Sequence, residues 1–216
     1  IGAALGVRFF GSSRNRSFIG EFKATRIFDS YLTMNLKGYS TFRDVNVYVD
    51  DASLAGDPLH WDRVRVAEYR EVREGGSLSF GTQLERLGSV TVEGRLESHR
   101  ISNIFNQPVQ NGSYKVSSIK FGTKVDTQNE FPYPTDGVLI NFMYETALVR
   151  VTDAIGFTKM SFDYQKCQTL FSRHVIRPRV AIGVADETTP ISEQFSLGGE
   201  QTFFGLREDN ERGGQL

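Results

Sequence analysis

One cysteine, Cys167, stands in 216 residues. That excludes an internal disulfide framework and a multi-cysteine metal site. There is no apolar run of about 18 residues, which excludes a transmembrane helix. Charge of one sign is also missing: 25 Lys and Arg face 26 Asp and Glu, a net charge of −1. Such a balance offers no electrostatic footprint for nucleic acid. Proline is scarce, at 6 residues. An apolar content of only 39% does not exclude a membrane, because a transmembrane β-barrel hides its lipid face in alternate residues.

What is present is aromatic and glycine: 17 Phe, 8 Tyr and 21 Gly. With few helix-type stretches, this composition points to an all-β chain. The chain opens at Ile1 in mid-pattern and reads as a fragment or a processed product.

Period-2 alternation runs almost from end to end. Leu78, Phe80, Thr82 and Leu84 oppose Ser77, Ser79, Gln83 and Glu85. Val138, Ile140, Phe142 and Tyr144 oppose Asn141 and Glu145. About eleven such segments lie near residues 1–10, 18–28, 30–41, 44–51, 60–72, 76–87, 89–101, 114–127, 137–147, 157–170 and 174–185. Many exceed the 5–6 residues usual in soluble strands and suit the about 9–11 that a tilted strand needs to cross a bilayer. The expected fold is therefore an antiparallel transmembrane β-barrel. A soluble sandwich with one wet face also fits alternation, and segment length argues against it. Tight turns near Phe28–Ser30, Leu87–Ser89 and Phe171–Arg173 alternate with longer loops at Gly11–Ser17, Ser102–Ser113 and Leu148–Ile155. Short turns on one rim and long loops on the other are the barrel pattern. The loop Asp51–Leu59 breaks it, being long where a short turn is due.

No catalytic motif stands out. Gly38-Tyr39-Ser40-Thr41-Phe42 lacks the closing glycine of a nucleophile elbow. His60, His99 and His174 have no metal-ligand spacing. His60-Trp61-Asp62 reads as an interfacial aromatic with polar neighbours. The expectation is no enzyme, no metal and no cofactor.

Two stretches are unusual. Asp126-Thr127-Gln128, followed by Pro134-Thr135-Asp136-Gly137, has the residues of a structured turn. The segment from Glu193 to Asp209 follows the last strand and is too long for a turn. It carries Phe195-Ser196-Leu197-Gly198-Gly199 and then Phe203-Phe204-Gly205-Leu206-Arg207. A long loop with paired glycines and aromatics usually has a packed conformation and a role.

These stretches resemble the bacterial surface antigen superfamily, whose barrels include outer-membrane protein assembly factors. In that family a strand ends in Asp-(Thr/Ser)-Arg-Asp, and Pro-x-x-Gly opens the next. Asp126, Thr127, Pro134 and Gly137 match, with Gln128 where Arg is usual. The family's sixth extracellular loop reads Phe-x-Leu-Gly-Gly and then Val-Arg-Gly-Tyr/Phe. Phe195, Leu197, Gly198 and Gly199 match the first part. Phe203, Phe204, Gly205 and Leu206 fall on the second, with Phe204 in place of the Arg and Arg207 nearby.

The resemblance implies a barrel of 16 strands in the bacterial outer membrane, of which about 11 are present here. Residues 1–216 would then be a partial barrel domain, with the sixth loop at 186–216 folded back into the lumen and docked on its wall. The implied function is insertion, assembly or translocation of outer-membrane proteins. The implied partners are outer-membrane lipid, client β-barrel proteins and periplasmic accessory proteins. An alternative is the membrane anchor of a patatin-like phospholipase. Gly2 and Gly6 weaken the first segment, which suits a seam that templates an incoming strand.

Overall fold

In the computed structural model every long alternating segment is a β-strand. The described residues are 2–27, 30–50, 63–84, 87–106, 110–149, 155–171, 173–199, 202–203, 205–206 and 211–216. The strands are β1 (Gly2–Gly11), β2 (Asn15–Ile27), β3 (Leu32–Asp50), β4 (Arg63–Leu84), β5 (Gly88–Phe105) and β6 (Gly112–Asp126). They continue with β7 (Gly137–Ala147), β8 (Thr158–Leu170), β9 (His174–Ile176), β10 (Arg179–Ala185), β11 (Phe195–Leu197) and β12 (Glu211–Gly213). Strands β1 to β8 pair antiparallel in chain order, and β9 and β10 both pair with β8. β9 and β10 form one pass, interrupted at Arg177–Pro178, where Lys166 N–H donates to Pro178 O at 3.1 Å. Beyond β10, Gly214–Leu216 returns to the free edge: Leu216 N–H donates to Gly183 O at 2.9 Å and Ala185 N–H to Gly214 O at 2.7 Å.

Burial is inverted relative to a soluble sandwich. Leu5 is 81% exposed and Phe9 69%, whereas Glu71 is 1% and His99 0%. Apolar side chains point outward and charged ones inward, as lipid outside and a polar lumen inside require. The outward residues form rows across the sheet. One row runs Phe80, Val92, Phe121, Tyr144, Met160 and Val184. The next runs Val90, Thr123, Phe142, Phe162 and Ile182.

The described residues make nine passes before the long connection, not eleven. Segments 30–41 and 44–51 are one strand, β3, and 60–72 and 76–87 are one strand, β4. The apparent breaks are phase inversions. In β3, Leu32, Met34 and Leu36 share one face, while Val45 and Val47 lie on the other and pack inward with Tyr69 of β4 and Ile101 of β5. Within the membrane the outward face meets lipid. Beyond it the outward face meets water and the inward face becomes the core, so the apolar positions switch parity without any break in the ladder. The merger also removes the exception at Asp51–Leu59, because the connection from β3 to β4 now falls on the long-loop rim. Nine passes also leave no support for taking Ile1–Phe10 as the family's seam strand, since the resemblance places eleven before that loop.

Candidate functional site: the lumenal dock of the long loop

After β10 the chain turns into the lumen. Asp186 makes the turn. Its Oδ2 accepts Thr158 N–H at 2.7 Å, and its Oδ1 accepts the hydroxyls of Thr188 at 2.7 Å and Thr189 at 3.0 Å. Burial would raise the Asp186 carboxyl, but these donors outweigh it and hold the group below the usual carboxylate range. Ile191 then packs on the Val45, Tyr69 and Ile101 cluster.

Ser192 and Glu193 enter the charged wall. His99 Nε2 donates to Glu97 Oε2 at 2.6 Å, so in the neutral ring Nδ1 accepts from the Ser192 hydroxyl at 3.2 Å. The Tyr114 hydroxyl also bonds Ser192 Oγ, and the Tyr114 and His99 rings stack at 5.1 Å. The Ser192 carbonyl accepts from Arg73. Glu193 is the centre. Arg95 donates to both its oxygens, at 3.2 and 3.1 Å, and Lys159 Nζ donates to Oε2. Arg73 Nη1 lies 3.7 Å from Oε1. Burial pushes the Glu193 carboxyl up, but Arg95, Lys159 and Arg73 prevail and hold it at about 2.

The same cations are tied to the wall. Arg95 also donates to Glu97 at 3.1 Å and to Glu145 at 2.6 Å. Ser118 donates to Glu145 at 2.6 Å. Glu71 takes Arg43 at 3.1 Å and Arg73 at 2.7 Å, and the Tyr39 hydroxyl donates to Glu97. Around Glu193 the wall holds Arg43, Arg73, Arg95 and Lys159 against Glu71, Glu97 and Glu145. From the loop's return limb, Arg212 donates to Ile191 O at 2.9 Å and stands 3.8 Å from Glu71. Donor atoms of Glu97, His99 and Glu193 lie within 4.8 Å of one another. Arg95, Lys159 and Ser192 already occupy those donors, so this is an ion-pair network and not a ligand set.

The loop residues singled out in the sequence lie just beyond this dock. Phe195 and Leu197 are in β11, opposite Gly213 and Glu211 of β12. Thr202 Oγ1 accepts Gly198 N–H and donates to Gly198 O, both at 2.8 Å, and Gly199 N–H donates to Leu206 O at 3.0 Å. Gly198, Gly199 and Gly205 have φ of 124°, 85° and 118°, a region that favours glycine. Phe203 is half-exposed. Phe204 and Arg207 lie outside the described residues, as do His60, Trp61 and Asp62.

The strand-turn residues sit on the opposite, short-turn rim and are not brought to the dock. Asp126 Oδ1 accepts Gln128 N–H at 3.2 Å, and Thr127 Oγ1 accepts Val138 N–H at 2.8 Å. Pro134 O accepts from Arg177 at 3.1 Å. Gly137 has φ 110°. Gln128, standing where the family has Arg, reaches the buried Cys167 Sγ at 3.6 Å.

Sequence reasoning missed Arg73, Glu97, His99, Glu145, Lys159 and Glu193 as a group. Their one signal was inward parity: each wall residue lies on the polar face of its strand.

An antiparallel sheet with an apolar outside, a charged lumen and a long inward loop defines an outer-membrane-type β-barrel domain. The chain belongs to the Omp85 superfamily, whose domain matches residues 2–210. The surface-antigen resemblance is thus borne out, and with it the bacterial outer membrane as its location. The fold is similar to that in the crystal structure of BamA from Haemophilus ducreyi lacking POTRA domains 1-3, with a TM-score of 0.74 at 14% identity. That likeness covers 96% of this chain and 41% of the BamA chain. No curated protein matches.

Proposed function

We propose that residues 1–216 form part of one barrel domain that serves the insertion, assembly or translocation of outer-membrane proteins, without catalysis of its own. Client β-barrel proteins and periplasmic accessory proteins are its partners in this reading. The supporting observation is the dock of Glu193 on Arg73, Arg95 and Lys159, which holds the loop inside the lumen. A loop held largely by ion pairs and hydrogen bonds, with Ile191 and Phe195 as its apolar contacts, can be released and re-seated without unfolding the strands around it. The Phe195–Leu206 segment beyond the dock is the working element. The alternative as an anchor for a patatin-like phospholipase gains no specific support from the domain match or the structural likeness.

The test uses the full native polypeptide in liposomes. Deleting Gly198–Thr202 should abolish client assembly while the barrel stays inserted, seen as heat-modifiable gel migration. Normal client assembly after that deletion would sink the reading.

A further inference from the structure

We propose that the outer wall of β4–β7 holds one phosphate-bearing acyl lipid of the outer leaflet. The inference stands apart from the assembly reading, because it concerns the lipid face and not the lumen.

The groove follows from the register. Gly20, Gly38 and Gly76 lie in one outward row, which continues through Leu96. The row below runs Leu36, Leu78, Gly94 and Ile119. Where neighbouring rows carry side chains, the glycines leave a floor of bare backbone. A cavity of about 490 Å³ opens there, lined by Leu36, Gly76, Leu78, Gly94, Leu96 and Ile119 among others. Leu148 closes one end, with its N–H on Ser117 O at 2.7 Å. A Cβ on Gly94 would find its nearest neighbour, Leu78 O, at 4.0 Å, so the space is open. The lining is almost wholly hydrocarbon and faces the bilayer. An acyl chain fits it, and a polar ligand does not.

The headgroup end is cationic. Directly beyond the groove, toward the long-loop rim, Ser98 pairs with Lys115, and one rung further Arg100 pairs with Ser113. Lys115 and Arg100 are therefore diagonal neighbours on adjacent strands, both outward and both exposed. Among the described residues neither has a carboxylate partner. Glu74, opposite Ser98, is the nearby acid, and it accepts the Ser40 hydroxyl at 3.2 Å. Two cations with no carboxylate partner among the described residues, above an apolar slot, complement a phosphate above an acyl chain. The long-loop rim of such a barrel is extracellular, so the lipid comes from the outer leaflet. Its phosphorylated, multiply acylated glycolipid, lipopolysaccharide, is the occupant.

The test is native mass spectrometry of the full native polypeptide in mild detergent, titrated separately with lipopolysaccharide, phosphatidylglycerol and phosphatidylcholine. The wild type should retain one lipopolysaccharide molecule per barrel and no phosphatidylcholine. Lys115→Gln and Arg100→Gln should each weaken retention about five-fold, the effect of removing one basic residue from an anionic surface. Gly94→Leu should fill the groove and abolish retention. Gly94→Ala, the milder change, should weaken it if the leucine variant fails to fold. Heat-modifiable migration reports folding for each. Equal retention in every variant, or retention of phosphatidylcholine, overturns the site. Retention of phosphatidylglycerol in preference to lipopolysaccharide overturns the outer-leaflet assignment.

Discussion

The ring of Phe195 occupies the place where a side chain at Gly183 would stand. A Cβ on Gly183 would lie 2.9–3.0 Å from three ring atoms of Phe195. Gly183 is an inward position of β10, opposite Ser161 of β8. The first aromatic of the loop motif is thus seated on a bare stretch of barrel wall. Gly183→Val should displace the ring and cost the loop's docking about 1–3 kcal/mol, the usual cost of overpacking. Protease cleavage within 198–206 should accelerate, with strand content by circular dichroism unchanged. Unaltered cleavage would mean that the ring does not need this seat.

Glu193 joins three cations that are otherwise held by wall carboxylates. Glu193→Gln keeps the shape and removes the charge. It should weaken loop docking by about 1.5–3 kcal/mol, because the cations keep Glu71, Glu97 and Glu145 and lose only their charged partner on the loop. Combining it with Lys159→Gln should cost less than the sum of the single changes, since the two groups share one interaction. A strictly additive double-mutant cycle would disconnect them.

The same contact makes docking acid-sensitive. The folded Glu193 carboxyl is held at about 2, below its ordinary value of 4.5. A depressed carboxyl contributes stability that is fully present above 4.5 and is lost as the pH falls toward 2. Loop release, followed by a fluorophore on the loop tip, should therefore rise as the pH drops through that window. In Glu193→Gln this rise should be absent or much smaller. An unchanged profile in the variant would assign the sensitivity to other groups.

The turn at the opposite rim depends on one glycine. Gly137 has φ 110°, and a Cβ there would lie 2.4 Å from Thr127 O, a backbone atom that cannot swing away. Gly137→Ala should lower stability by roughly 1–3 kcal/mol from backbone strain alone, and by more from the clash. Gly112→Ala, with nothing within 4 Å of its Cβ, is the control and should be near neutral. Urea unfolding in liposomes compares the two.

Inside and outside are separated by single residues on β8. Phe162 is in a lipid-facing row beside Phe142 and Ile182, while Ser161, next to it, faces the lumen. Phe162→Lys should cost about 2–4 kcal/mol near the bilayer centre, and Ser161→Lys should be tolerated. Equal costs would contradict the assignment of the two faces.

Strand content, the two faces and the presence of a long structured loop were legible in the sequence for local reasons, whereas the loop's inward course came from the family resemblance. Side-chain direction alternates along any strand, so Val138, Ile140, Phe142 and Tyr144 declare one face without knowledge of their neighbours. The glycines at 198, 199 and 205 likewise declared an unusual backbone in the loop. Local pattern failed where the environment changed along one strand. At Leu36–Val45 and again in β4 the apolar phase inverts as the strand leaves the membrane, and a pattern read residue by residue takes that for a break. The dock was out of reach for a different reason. Glu193 meets Arg73 from 120 positions back in the chain, and Arg95 and Lys159 from other strands, and only sheet curvature brings those strands around one carboxylate. Gly183 and Phe195 are the same case in miniature, for neither residue names the other until the loop turns inward at Asp186.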